Sequence, residues 1–171
     1  MPLAVSHLTC EGLANPPLLD VAAPRFSWQI KSSVRGARQI AYQLRIIRLP
    51  DSPPQDPAPA PEEIETARIA SDQSQWVPVH VFVAQPKTRY AWQVRVWDEQ
   101  DRVSAWSDRA TFETGLLGER WPAAWIADGE TVPVGTAPRA RYFRTGFTAP
   151  AAIARARLYL SAFGLVEPWI N

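Results

Sequence analysis

The longest clean alternation of apolar and polar positions in the chain runs Thr88-Arg89-Tyr90-Ala91-Trp92-Gln93-Val94-Arg95-Val96-Trp97-Asp98. Tyr90, Trp92, Val94 and Val96 fall on one face, and Ala91, Gln93, Arg95 and Trp97 on the other. A period of two built from aromatic and β-branched residues predicts a half-buried strand. The same period marks residues 25–31, with Phe26, Trp28 and Ile30 directed inward. It marks residues 39–48 as well, with Ile40, Tyr42, Leu44 and Ile46 on one face and Arg45 on the other. Shorter apolar or β-branched runs predict strands over residues 3–9, 66–70, 77–83 and 102–114. Turn chemistry separates them: Asn15-Pro16-Pro17, the segment around Gly36, Ser71-Asp72-Gln73-Ser74 and the polar Asp98-Glu99-Gln100-Asp101. The proline run of residues 51–61 has no place inside a sheet, because proline lacks the N–H that a ladder needs, and it predicts a solvated loop. Glu62, Glu63 and Glu65 then read as a charged loop edge.

About seven short strands over the first ~115 residues predict an all-β fold of immunoglobulin-like sandwich type. Tyr90 stands at the entry to the main strand, after Ala84-Gln85-Pro86-Lys87-Thr88-Arg89, the place of a tyrosine corner whose hydroxyl bonds back to the upstream backbone. Trp28 is the aromatic expected to pack across the core. The arrangement is similar to fibronectin type III modules, with Ala84 standing where their pattern has a leucine. Gly115-Leu116-Leu117-Gly118 closes this module. Beyond it, residues 139–148 and 154–163 alternate again, and a further strand is expected to start near Val166. The predicted organisation is therefore a sandwich over residues 1–115 and an incomplete second β-sandwich segment over 116–171. Two or three strands are too few to bury both faces of a sheet, so the second segment is expected to expose an apolar face or edge.

Composition narrows the function classes. Net charge is +1, and no basic stripe points to nucleic acid. Cys10 is the only cysteine, which excludes an internal disulfide and a multi-cysteine metal site. The N-terminus lacks the basic-then-apolar pattern of a signal peptide, and no apolar run is long enough to span a membrane. The expected location is cytoplasmic, with no membrane partner.

Candidate chemistry is sparse. His7 and His80 have no companions at ligand spacing, and Asp98-Glu99-Gln100-Asp101 lacks the glycine and distal glutamate of a calcium loop. Gly12, Gly36, Gly115 and Gly118 form no phosphate-cradling motif. No acidic pair sits in an apolar pocket of the kind that shifts a catalytic pKa. The expectation is no catalytic, cofactor-binding or metal-binding residue, and no cofactor. Trp76, Trp97, Trp121 and Trp169 are the positions that weak sugar stacking would use, against the more common role of tryptophan in core or seam packing. Trp97 shares a face with Arg95, with Arg45 on the polar side of a neighbouring strand, which predicts a cation–π stack.

Several motifs occur in a set order: Ala23-Pro24-Arg25-Phe26-Ser27-Trp28, residues 39–45, Ser71-Asp72-Gln73-Ser74, residues 90–98, and Ser104-Ala105-Trp106-Ser107 with Phe112-Glu113-Thr114-Gly115. Together they resemble the N-terminal fibronectin-type module of bacterial α-L-rhamnosidases of glycoside hydrolase family 78. Trp121 with Trp125-Ile126, Ala137-Pro138 leading into Tyr142-Phe143-Arg144, and Ala156-Arg157-Leu158-Tyr159-Leu160-Ser161 resemble the start of that family's next β-sandwich domain. Here Val166-Glu167-Pro168-Trp169-Ile170-Asn171 stands where the family has a pattern like Y-E-L-x-L-N-G. The resemblance implies a parent reaction of inverting hydrolysis of terminal α-L-rhamnose. Inversion needs two carboxylates roughly 6.5–9.5 Å apart. In the family these belong to a downstream (α/α)₆ barrel, and no residue here matches them.

The leading expectation is therefore a non-catalytic N-terminal part of such an enzyme, a scaffold or substrate-framing module. It is expected to be inactive alone and to meet rhamnosylated glycosides through a catalytic domain outside this chain. The alternative is a free-standing carbohydrate- or protein-binding module. A third reading, a receptor-type ectodomain, comes from Val103-Ser104-Ala105-Trp106-Ser107, which is similar to the W-S-x-W-S box of cytokine-receptor modules. The missing signal peptide, disulfides and membrane span argue against it.

Overall fold

The structure is a computed structural model that describes residues 3–50, 62–131, 134–136, 139–151, 153 and 155–170. The loop expected at 51–61 and the Ala137-Pro138 motif lie outside the described residues. The chain divides into two compact units, Met1–Trp125 and Ile126–Asn171.

The first unit is a two-sheet sandwich of eight strands: β1 (Ala4–Cys10), β2 (Arg25–Lys31), β3 (Gln39–Arg48), β4 (Glu63–Glu65), β5 (Ile69–Ala70), β6 (Val77–Pro78), β7 (Arg89–Asp98) and β8 (Ala110–Glu113). The smaller sheet runs β1-β2-β6, and the larger runs β4-β3-β7-β8 with β5 also on β3. All strand pairings are antiparallel. Phe26 and Trp28 of the small sheet meet Tyr42, Leu44, Ile46, Tyr90, Trp92, Val94, Val96 and Phe112 of the large one. These are the inward positions that alternation selects, and each large side chain so buried contributes roughly 1.5–3 kcal/mol. Phe26 lies 4.7 Å from Trp92, and Trp28 stands edge-on to Tyr42 at 5.2 Å.

Two strand edges are completed by groups from outside the regular ladder. Thr66 separates β4 from β5, and its Oγ1 accepts the Leu44 N–H at 3.0 Å. The link between β1 and β2 crosses to the open edge of β8, where Asn15 Oδ1 accepts the Thr111 N–H at 2.7 Å and Pro16 O accepts the Glu113 N–H at 3.1 Å. A covered edge does not recruit foreign strands.

The structure corrects four expectations in this unit. Ile40 is exposed and Gln39 buried, because the β3–β7 register slips between Gln39 and Ala41. One extra residue in a bulge turns every side chain before it to the other face. Glu63–Glu65 is a strand, not a loop edge, since Arg45 on β3 neutralises both its carboxylates, Arg48 pairs with Glu62 just before it, and residues 45–47 pair with it. The run 77–83 keeps only Val77–Pro78 as strand, and Val81 and Val83 are exposed around buried Phe82. Within 102–114 the strand is Ala110–Glu113, and residues 103–107 follow β7 by a different device described below.

The described residues of the second unit form no strand, contrary to the strands expected at 139–148 and 154–163. Alternation fixes which side chains share a face, but a strand exists only when its N–H and C=O groups find a partner ladder. Tyr142, Phe147, Leu165 and Trp169 are exposed, and Arg141 pairs with Asp128 and Glu130.

Candidate functional site

The exposed face of the large sheet carries a stack of alternating arginines and tryptophans. Arg95 on β7 lies 4.7 Å from the Trp106 ring centroid and 5.4 Å from that of Trp97. Arg45 on β3 covers Trp106 at 4.4 Å, and Arg68 covers Trp97 at 4.9 Å. The order is thus Arg45, Trp106, Arg95, Trp97, Arg68. Period two places Arg95 and Trp97 on this face, and the pairing of Gln43 with Arg95 and of Arg45 with Gln93 brings Arg45 alongside.

Trp106 reaches the stack because residues 103–107 are fastened to β7 in an unusual way. The Ser104 N–H donates to Val96 O at 2.8 Å, and Ser104 Oγ accepts the Val96 N–H at 3.0 Å. Ser107 does the same with Val94, at 2.9 Å and 3.1 Å. A hydroxyl thus replaces a backbone carbonyl at alternate steps, so the segment follows β7 without continuous strand geometry. The predicted stack of Arg45 and Arg95 on Trp97 is real for Arg95 but not for Arg45, which lies on Trp106. Trp106 was missed as a member, although Ser104-Ala105-Trp106-Ser107 is the signal that marks it.

The remaining candidates are structural in their contacts. Tyr90 Oη accepts the Gln85 N–H at 2.8 Å, forming the expected corner. Thr114 Oγ1 secures the same turn by accepting the Thr88 N–H at 2.9 Å and donating to Gln85 O at 2.6 Å. Phe82 stands edge-on to Tyr90 at 5.2 Å, beside the small buried Ala84. Trp28 Nε1–H donates to Gln39 Oε1 at 2.9 Å.

The carboxylates with shifted pKa all move in one direction. Glu11 is lowered, chiefly by its hydrogen bonds from the Arg25 side chain. Asp98 is lowered, chiefly by the Arg102 side chain, and Glu99 is lowered, chiefly by the Arg38 backbone N–H. A general acid needs the opposite shift, toward the protonated form. The Asp98 oxygens accept the Gln100 and Arg102 N–H groups at 3.0 Å and Arg102 Nε–H at 2.8 Å, which makes the 98–101 segment a self-bonded hairpin tip. Beside it, Leu3, Ser32, residues 34–38 and residues 98–100 with Arg102 line an open depression of about 380 Å³ in which Arg38 pairs with Glu99. Burial, with the Glu11 charge second, pushes the Cys10 thiol up to about 12, so it is not a nucleophile near neutral pH. Among the described residues no cluster of three or more His, Cys, Asp or Glu side chains has the arrangement to hold a metal. Nor is any helix of these residues long and apolar enough to cross a membrane.

Of the four tryptophans with a possible sugar-stacking role, Trp97 has its ring taken up by Arg68 and Arg95. Trp76 is half-exposed with Arg25 over its ring at 4.5 Å. Trp121 is partly exposed, and Trp169, in the second unit, is largely exposed.

Comparison with known proteins places these features. Residues 5–118 match the family model described as Rha78A-like, N-terminal immunoglobulin domain. The chain is similar to an α-L-rhamnosidase of Streptomyces avermitilis, 34% identical over an alignment covering 94% of this chain and 17% of that protein. An α-L-rhamnosidase of an Alteromonas species is 32% identical over 94% of this chain and 18% of its own length. The crystal structure of the Streptomyces avermitilis enzyme complexed with L-rhamnose superposes with a TM-score of 0.63 at 37% identity, covering 73% of this chain and 12% of that one. The chain thus spans less than a fifth of the length of these curated relatives.

Proposed function

This chain belongs to the family of Rha78A-like N-terminal immunoglobulin domains, and from that membership we propose that it serves as a non-catalytic scaffold or substrate-framing part of an α-L-rhamnosidase-like glycoside hydrolase. In this reading residues 1–115 are the immunoglobulin-like module and 116–171 begin the next β-sandwich domain. The parent reaction is inverting hydrolysis of terminal α-L-rhamnose, with both catalytic carboxylates supplied outside this chain. Rhamnosylated glycosides are then partners of the whole enzyme.

The observation that carries the proposal is the reach of the similarity. It covers 94% of this chain but only 17% of the Streptomyces avermitilis enzyme. The electrostatics support it, since Glu11, Asp98 and Glu99 are all held toward the ionised form by arginine partners. The physical role that fits is rigidity. A sandwich with a shared core, a covered β8 edge and a stacked outer face can hold neighbouring domains in place without taking part in chemistry.

The test has two arms. The purified 171-residue chain is expected to release no p-nitrophenol from p-nitrophenyl α-L-rhamnopyranoside. Substituting it for the matching segment of the Streptomyces avermitilis enzyme is expected to preserve hydrolysis, whereas deleting that segment lowers the enzyme's thermal stability. Hydrolysis by the chain alone, or a deletion without effect, overturns the proposal.

A further inference from the structure

The fold spends backbone strain to set one indole on its surface. Trp76 has φ of 53°, a left-handed conformation that non-glycine residues rarely adopt. It directly precedes β6, whose Val77 is fully buried against Phe26. The strained residue is fastened from two sides: its N–H donates to Ser27 Oγ at 2.9 Å, and its carbonyl accepts Gln73 Nε2–H at 3.4 Å. Val77 then enters the core while 45% of the Trp76 surface stays accessible.

A second strained element meets it. Glu11 has φ of 48° and Gly12 of 76°. Gly12 lies against the ring edge, where a Cβ would stand 3.2 Å from Trp76 Cη2. Glu11 grips Arg25 through three hydrogen bonds, from the backbone N–H at 2.7 Å, Nε at 3.1 Å and Nη2 at 2.8 Å. This fixes the guanidinium over the indole at 4.5 Å. The result is a rigid cluster of an accessible aromatic ring, a carboxylate and a guanidinium, with exposed Leu13 next along the chain. Trp97 and Trp106 differ, because each is sandwiched between two arginines.

We infer that the Trp76–Arg25–Glu11 cluster is a carbohydrate-binding subsite that stacks a neutral pyranose ring on the accessible indole. Sugar C–H groups carry slight positive charge and are attracted to the negative face of an aromatic ring. The Arg25 guanidinium, half exposed, keeps donors that the Glu11 carboxylate does not use and can offer them to ring hydroxyls. A neutral saccharide suits this site, since the only two charged groups of the cluster already neutralise one another. Choosing a rhamnoside as probe rests on the proposed function; the stacking site itself does not.

The test is saturation-transfer-difference NMR on the full chain, with methyl α-L-rhamnopyranoside and methyl α-D-glucopyranoside as separate probes. Millimolar binding of the rhamnoside is expected, lost or weakened about tenfold in Trp76→Ala, partly restored in Trp76→Phe and unchanged in Trp121→Ala. Equal binding of the glucoside marks a general pyranose site, which also supports the inference. The wild-type indole N–H resonances give a readout that needs no variant to fold: titration should shift Trp76 and leave Trp97 and Trp106 in place. No transfer at tens of millimolar ligand, or unaltered binding by well-folded Trp76→Ala, overturns the subsite. That outcome leaves the scaffold role intact, because hydrolysis by the chimeric enzyme tests the latter separately.

Discussion

Gln39 holds together three groups from two other segments of the chain. Its Oε1 accepts Trp28 Nε1–H, and its Nε2 donates to the carbonyls of Ser71 at 3.1 Å and Gln73 at 2.9 Å. Replacing it by leucine keeps the volume but leaves a buried donor unsatisfied, which costs about 1–3 kcal/mol. The Gln39→Leu chain should show that loss in its urea unfolding midpoint, while Ile40→Ser, next to it but exposed by the bulge, should stay within about 0.5 kcal/mol. The Tyr90 corner is a smaller effect of the same kind: Tyr90→Phe should cost about 1 kcal/mol through the unpaired Gln85 N–H. Acid sensitivity also belongs to single residues. Glu11, Asp98 and Glu99 have lowered pKa in the folded chain, so the unfolded chain binds their protons more readily. Their contribution is present above the ordinary carboxylate range and disappears as pH falls through the lowered values. The stability gap between wild type and Asp98→Asn should therefore be open at pH near 7 and close on acidification, as read by urea midpoints across that range.

At the scale of elements, the large sheet is held by its outer face as well as its inner one. Trp106 is the central layer of the stack, and removing it takes the aromatic partner from both Arg45 and Arg95. Trp106→Ala should destabilise the first unit by about 2 kcal/mol, combining two cation–π contacts with lost packing. Ser104→Ala should cost about 1 kcal/mol by orphaning the Val96 N–H. The two effects measured together should fall short of their sum, because the serine bonds are what place the tryptophan; a double-mutant cycle gives the coupling directly. The sequence showed Arg95 and Trp97 on one face but not Trp106, since residues 103–107 follow β7 through serine hydroxyls and carry no strand period. It also hid β4, whose glutamates read as solvent-facing until the β3 arginines opposite them are known.

Across the whole molecule, order is unequal. The first unit has paired strands and a shared core, whereas the described residues of the second form no strand and leave Tyr142, Phe147 and Trp169 exposed. Limited trypsin digestion should cut first at Arg139, Arg141, Arg144, Arg155 and Arg157, and mass spectrometry should find the strands of the first unit still intact at that stage. Simultaneous loss of both units would contradict this picture.

What the sequence alone determined was the all-β sandwich, its main strands and its corner tyrosine. Each depends on local information: a period of two, turn residues between runs, and one tyrosine placed before a strand. The order of motifs likewise carried the family. Tertiary structure decided the rest. Only pairing shows a bulge, so only pairing could exchange Ile40 for Gln39 in the core. Only pairing could turn Glu63 and Glu65 into part of a strand, or deny strand status to the alternation among the described residues beyond 126. The Trp76 cluster is of the same kind, because Glu11, Arg25 and Trp76 come from three separate segments and meet only when β2 pairs with β1 and β6 and brings them to one end of the small sheet. Alternation states which side chains share a face, and backbone partners found across long sequence distances decide which strands exist and which side chains meet.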